Sequence, residues 1–140
     1  MKKSFLVILI GSAIAAAPAA FADDSLFDRM GGTAVVAKVV DQLLDLSMAD
    51  PRTRRSFQKI NLKRLREKLN EQLCALSNGP CQYTGDSMKD VHAGLDITDA
   101  EFNGLVEHLI TALDDNGVGL REKNELIKLL APMKRDVITK

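Results

Sequence analysis

Two histidines occur among the 140 residues, and their neighbourhoods differ. His92 stands with Met88, Val91 and Leu95, at steps of three, one and three along the chain. On a helix those steps make one apolar stripe with an imidazole in its middle. So short a piece is not stable alone, and a metal or haem bond through His92 would hold it. The alternative is a core histidine hydrogen-bonded to a carbonyl. His108 stands to one side of the stripe made by Phe102, Leu105, Leu109 and Leu113, beside Glu107 and near Thr111. It reads as a helix-flank residue.

Other chemistries find little support. Asp23-Asp24 and Asp114-Asp115 are adjacent pairs, which do not face one another on a helix. The sequence holds no GxGxxG, Walker loop, HExxH or GxSxG motif. One histidine ligand poorly supports a structural zinc site, and without CxxCH there is no covalent c-type haem attachment. Cys74 and Cys81 lie seven apart. That spacing suits a disulfide closing over a helix end, which would contribute roughly 2–3 kcal/mol by loop entropy. Two free thiols, one buried in a helix face, are the alternative.

The elements that position these residues are all helical. Sustained apolar–polar alternation is absent, and apolar residues recur at steps of three and four. A short first segment holds Leu26 and Phe27 and ends at Gly31-Gly32. Val36, Val39, Val40, Leu43 and Leu44 form a stripe over Thr33–Met48, stopped by Asp50-Pro51. Asn61 can cap a helix whose stripe is Leu62, Leu65, Leu69, Leu73 and Leu76, with Asn78-Gly79-Pro80 as its break. A short piece follows over about Ser87–Ala93. Thr98 and Glu101 form a capping box for the next helix, which ends at Asn116-Gly117. The last helix carries Leu126, Leu129, Leu130, Met133 and Val137, and Pro132 should kink or divide it.

A chain of this length makes one domain, and 46% hydrophobic residues suffice for a packed core. Lys2 and Lys3, the apolar stretch from Phe5 to about Ala17, and Ala20-Phe21-Ala22 read as a secretory signal peptide, residues 1–22. The stretch is shorter than the roughly 20 apolar residues of a membrane span. The mature domain is then residues 23–140, in an oxidising periplasm, with no stable membrane anchor after cleavage. It holds 17 basic and 19 acidic residues, a net of −2, which argues against nucleic acid as a partner.

A helical chain with one histidine on an apolar stripe and several leucine-lined faces has what a globin needs: one proximal ligand and an apolar crevice. The sequence also resembles the group 1 truncated haemoglobins, from Leu26 to Ile138. The resemblance is carried by Leu26-Phe27-Asp28-Arg29-Met30-Gly31-Gly32, Ala49-Asp50-Pro51, Ser56-Phe57 and Gly79-Pro80. It continues through Tyr83-Thr84-Gly85, Met88-Lys89, Val91-His92-Ala93-Gly94-Leu95 and Ile97-Thr98 to Phe102, Val106-Glu107-His108-Leu109 and Leu130-Ala131-Pro132. It implies a two-on-two helical sandwich around haem b. His92 would be the proximal iron ligand, its Nδ1–H donating to a carbonyl one turn earlier. Phe57 would pack on the porphyrin, Met88 would line the haem site, and Tyr83 could reach a propionate.

The departures shape the functional expectation. Leu44 lies where family members commonly carry Tyr, and Leu65 and Leu69 lie where they commonly carry polar residues. Ser56 replaces the first Phe of an aromatic pair, and Asn78 one Gly of a glycine pair. The distal pocket is therefore expected to be apolar. Reversible binding of a diatomic gas (O2, CO or NO) follows, with O2 released fast for want of a donor. A pocket without acid or base weakens the case for an enzyme, peroxidase or NO dioxygenase. Lys68, at the edge of the haem-facing stripe, is either a distal sixth ligand, as in some family members, or a side chain reaching a propionate or water. With Lys68 on iron the chain would be a redox or NO- or peroxide-processing protein. Residues 52–68 hold eight basic residues and one acid. This run is a solvated face with propionate partners, or a dock for an acidic electron-donor protein or an anionic membrane surface. A haem-free helical interaction module is the rival from another class.

Overall fold

The computed structural model describes residues 24–140, and they form helices and turns without a strand. The segment read as a signal peptide, residues 1–22, lies outside them. The order is α1 (Leu26–Arg29), α2 (Gly32–Ala49), a 3-10 turn (Arg54–Phe57), α3 (Leu62–Leu76) and α4 (Met88–His92). Then come α5 (Asp99–Asp115), α6 (Leu120–Leu130), a 3-10 turn (Ala131–Met133) and α7 (Lys134–Val137). Among the described residues no helix is long and apolar enough to cross a membrane.

Local chemistry sets these boundaries. Asn61 Oδ1 accepts the N–H of Arg64 and caps α3, and Thr98 and Glu101 close a reciprocal capping box on α5. Pro132 ends α6 in a 3-10 turn and separates α7 from it. The far end of α3 is a Schellman closure. The N–H of Gly79 donates to Cys74 O at 2.8 Å, and that of Asn78 to Ala75 O at 3.2 Å, with Asn78 left-handed at φ 59°. Gly79 serves another end. A Cβ there would lie 2.6 Å from Cys74 Sγ and 2.7 Å from Phe27 Cγ, so the close approach requires glycine. Cys74 and Cys81 form a disulfide across this closure, with Cα atoms 6.1 Å apart.

The core lies where α2 crosses α5 and α3. Val36, Val39, Val40, Leu43 and Leu44 of α2 pack with Leu109, Ala112 and Leu113 of α5, Leu73 of α3 and Leu126 of α6. Gly104 lets α5 approach the chain beyond α2, because a Cβ there would lie 2.8 Å from Thr53 Cγ2. Two helical stripes divide their labour. On α3, of the leucine stripe only Leu73 is buried in the core, while Leu65 and Leu69 are half-buried and face a cavity. On α5, Leu109 and Leu113 join the core, and Phe102 and Leu105 line the same cavity. Leu129, expected on the last helix's apolar stripe, is 39% exposed.

A single-histidine cavity

A cavity of about 330 Å³ opens between α3, α4 and α5. Leu65, Lys68 and Leu69 reach it from α3, and Met88, Val91 and His92 from α4. Phe102 and Leu105 close it from α5, Phe57 and Ile60 from the 3-10 turn and its exit, and Tyr83 from the loop before α4. Seven of the eight residues expected at a haem site therefore line one space.

The eighth is Leu44. Leu44 is 1% exposed and belongs to the core; the α2 residue on the cavity wall is its neighbour Leu43. Both leucines belong to the core cluster, and Leu43 also reaches the cavity wall.

His92 sits at the end of a helix of five residues, capped by Ser87, whose Oγ accepts the N–H of Asp90 at 3.1 Å. Its Nδ1 lies 2.7 Å from Met88 O, one turn earlier. A carbonyl only accepts, so Nδ1 carries the proton and Nε2 of the neutral ring keeps its lone pair. No hydrogen bond to Nε2 occurs among the described residues. Nor do three His, Cys, Asp or Glu side chains gather there as a metal-binding cluster. One orienting contact, one open imidazole nitrogen and an apolar crevice suit a macrocycle that brings its own four in-plane ligands.

Polar groups also reach the wall, which an all-apolar expectation did not include. Three of them spend their donors on the protein. Thr53 Oγ1 donates to Ser47 O at 2.7 Å, and Ser56 Oγ to Glu101 Oε1 at 2.9 Å. Gln72 is 8% exposed, and its amide reaches Met88 Sδ at 3.3 Å and Met133 Sδ at 3.6 Å. Sequence reading missed Gln72, although it lies seven residues after Leu65 and thus on the same helical face. Tyr83 is a residue that could reach a propionate. Its hydroxyl donates to Asp86 O at 2.8 Å and closes its own loop. Burial, reinforced by the charge of Asp86, raises the pKa of that phenol.

Two carboxylates anchor the rim. Burial opposes the charge of Glu101, but Arg55, the Thr98 N–H and the Ser56 hydroxyl outweigh it and hold the carboxyl at about 2. Ser56, a departure from the aromatic pair, thus serves an ionised glutamate. Glu71 is also held at about 2, by Lys68 first and then by the Thr84 N–H and hydroxyl. Lys68 Nζ lies 2.9 and 3.0 Å from the two Glu71 oxygens and 2.6 Å from Thr84 Oγ1.

His108, read from the sequence as a helix-flank residue, lies outside the cavity. It is 9% exposed, with Nδ1 3.2 Å from Ser47 Oγ and Nε2 3.1 Å from Asp50 Oδ2. Those partners sit on and just beyond α2, so His108 ties α5 to the end of α2. The Arg52 side chain and backbone N–H hold the Asp50 carboxyl at about 2.

Known proteins bear out the fold. The family model for bacterial-like globins matches residues 25–139. A group 1 truncated haemoglobin of Mycolicibacterium paratuberculosis is 34% identical over 115 residues, covering 82% of this chain and 85% of its own. One from Tetrahymena thermophila is 25% identical over 116 residues, covering 83% and 96%. The Fe(III) form of the Tetrahymena pyriformis truncated haemoglobin superposes with a TM-score of 0.79 at 23% identity, covering 84% of this chain and 100% of that one. The 2/2 haemoglobin of Synechococcus, solved in the cyanomet state with covalently attached haem, gives 0.77 at 22% identity with the same coverage. With one open imidazole in an apolar crevice between paired helices, the chain belongs to the bacterial-like globins, and among them to the group 1 truncated haemoglobins.

Proposed function

We propose that this globin reversibly binds a diatomic gas (O2, CO or NO) at haem b held by His92, in a pocket that offers the gas no strong hydrogen bond. The observation that carries the reading is the Nδ1 contact of His92 with Met88 O, which leaves Nε2 open at an apolar cavity. Haem b is the cofactor of the family and supplies a ferrous centre that coordinates such gases. The residues do the rest. Met88 O fixes the tautomer and orientation of His92. Phe57, Leu65, Leu69, Phe102 and Leu105 exclude water. Thr53, Ser56 and Lys68 keep their donors on protein acceptors. The rival with Lys68 as a distal sixth ligand finds no favouring contact, because Nζ is engaged with Glu71 and Thr84.

Haem titration of the haem-free protein tests the reading. Wild type and His108→Ala should develop a Soret band, and His92→Ala should bind haem at least tenfold more weakly. Equal uptake by both variants would show that His92 is not the ligand.

Two settings complete the proposal. Residues 1–22 act as a secretory peptide, so protein from the periplasmic fraction should begin at Asp23. An uncleaved chain found only in the cytoplasm would end that idea. An exported globin also needs an electron source, and the exposed cations Lys59, Lys63 and Arg64 suit an acidic donor protein.

A further inference from the structure

Lys68 is placed by more than its own helix. Its Nζ meets both oxygens of Glu71, three residues on along α3, and Thr84 Oγ1 in the loop before α4. Glu71 in turn accepts the Thr84 N–H and hydroxyl, each at 2.9 Å. An ammonium has three donors and no lone pair, and here all three directions point to the rim. The cluster is sheltered, with Lys68 and Glu71 side chains 21% and 25% exposed. It joins the helix on one side of the cavity to the segment leading to His92 on the other. Yet the Lys68 stem lines the same cavity as His92, so a released amine would be a primary-amine ligand tethered beside the site.

We propose that Glu71 is a positioning residue that sets the coordination number of the haem site: by tethering Lys68 to the rim through Thr84, it keeps the sixth position free for an external ligand. This rests on the haem-binding reading above. Lys68 can turn inward only by giving up three hydrogen bonds, two of them to an ionised carboxylate, which are the strong kind.

The test is the ferric absorption and electron-paramagnetic spectrum of haem-loaded wild type, Glu71→Ala, Glu71→Gln, Thr84→Val, Lys68→Ala and the double variant Glu71→Ala/Lys68→Ala. Wild type and Lys68→Ala should be high spin and alike. Glu71→Ala should raise the ratio of low-spin to high-spin haem about tenfold or more, and Glu71→Gln and Thr84→Val should raise it less. The double variant should return to the wild-type spectrum, a result that a merely structural role for Glu71 would not produce. An unchanged spectrum in Glu71→Ala and Glu71→Gln overturns the proposal. So does a low-spin wild type that Lys68→Ala converts to high spin, or a low-spin state that survives in the double variant. Where Glu71→Ala does not fold, Glu71→Gln and Thr84→Val decide by the same criterion. Failure of every protein to take up haem would instead overturn the function itself, and with it this inference.

Discussion

At Glu101, burial and ionisation pull in opposite directions, and ionisation wins because Arg55, Ser56 and Thr98 all donate to one carboxylate. Its folded-state pKa of about 2 lies below the ordinary carboxylate value of 4.5. The stabilisation is therefore complete above about pH 5 and is lost as pH falls from there towards about 2. Glu101→Gln should cost about 1–2 kcal/mol at pH 7, near the low end because Arg55 is half-exposed. Denaturant unfolding from pH 7 to 2.5 should show the two proteins converging in acid, and a gap that stays constant would contradict this origin. Leu43 and Leu44 pose a different problem, since two adjacent leucines give a helical pattern no means of choosing which faces the cavity. Leu43→Tyr should bring a hydroxyl to the cavity and slow O2 dissociation about tenfold, since one donor bond is about 1.4 kcal/mol. Leu44→Tyr should overpack the core and cost about 1–3 kcal/mol in unfolding, with little effect on O2 release. Stopped-flow O2 release with the effects reversed would return Leu44 to the cavity wall. That Leu65, Lys68 and Leu69 share one helical face could be read ahead, because steps of three and four place them there. The Tyr83 bond to Asp86 O could not, because it is set by loop geometry that has no periodicity.

Helix boundaries were the most legible part, because each has local chemistry behind it. Asn61, the Thr98–Glu101 box and Pro132 act through neighbours within four residues, so no tertiary knowledge is needed. What α3 does with its leucines was not legible, since a stripe facing a core and one facing a cavity have the same period. The α3 closure shows the limit in another way. Asn78 and Gly79 both tolerate left-handed backbone, yet only Asn78 adopts it, and Gly79 is there for Phe27 and Cys74. The disulfide fastens this closure to the chain that leads on to α4. Cys74→Ser or Cys81→Ser should lower unfolding stability by about 2–3 kcal/mol, mainly through the unfolded state. Intact mass of the non-reduced wild type should lie two hydrogens below the dithiol. A serine variant within 0.5 kcal/mol of wild type would remove the disulfide from the stability argument.

Across the whole molecule, charge is segregated rather than balanced. Residues 52–68 carry a net +7 in a chain of formal net charge 0. Packing then divides that run. Arg52 pairs with Asp50 and Glu107, Arg55 with Glu101, Arg66 with Asp41 and Lys68 with Glu71, so these cations serve the fold. Lys59, Lys63 and Arg64 make no ion pair among the described residues and are exposed. Arg64 lines the cavity mouth beside Ile60, which is 39% exposed. Two uses fit three free cations there: holding the anionic edge of haem, or meeting an acidic electron donor. They separate experimentally. The variant Lys59→Glu/Lys63→Glu/Arg64→Glu leaves every ion pair named above intact, so it should fold with near wild-type stability. If the cations steer a partner, reduction of the ferric protein by a reduced acidic flavodoxin should slow about tenfold or more in this variant at low salt. The wild-type rate should itself fall several-fold between about 50 and 500 mM salt, as the Debye length shrinks. Haem affinity should change little. If the cations instead hold propionates, haem affinity should drop while salt hardly affects the wild-type reduction rate. A triple variant reduced as fast as wild type at every salt concentration would leave the patch without a partner role.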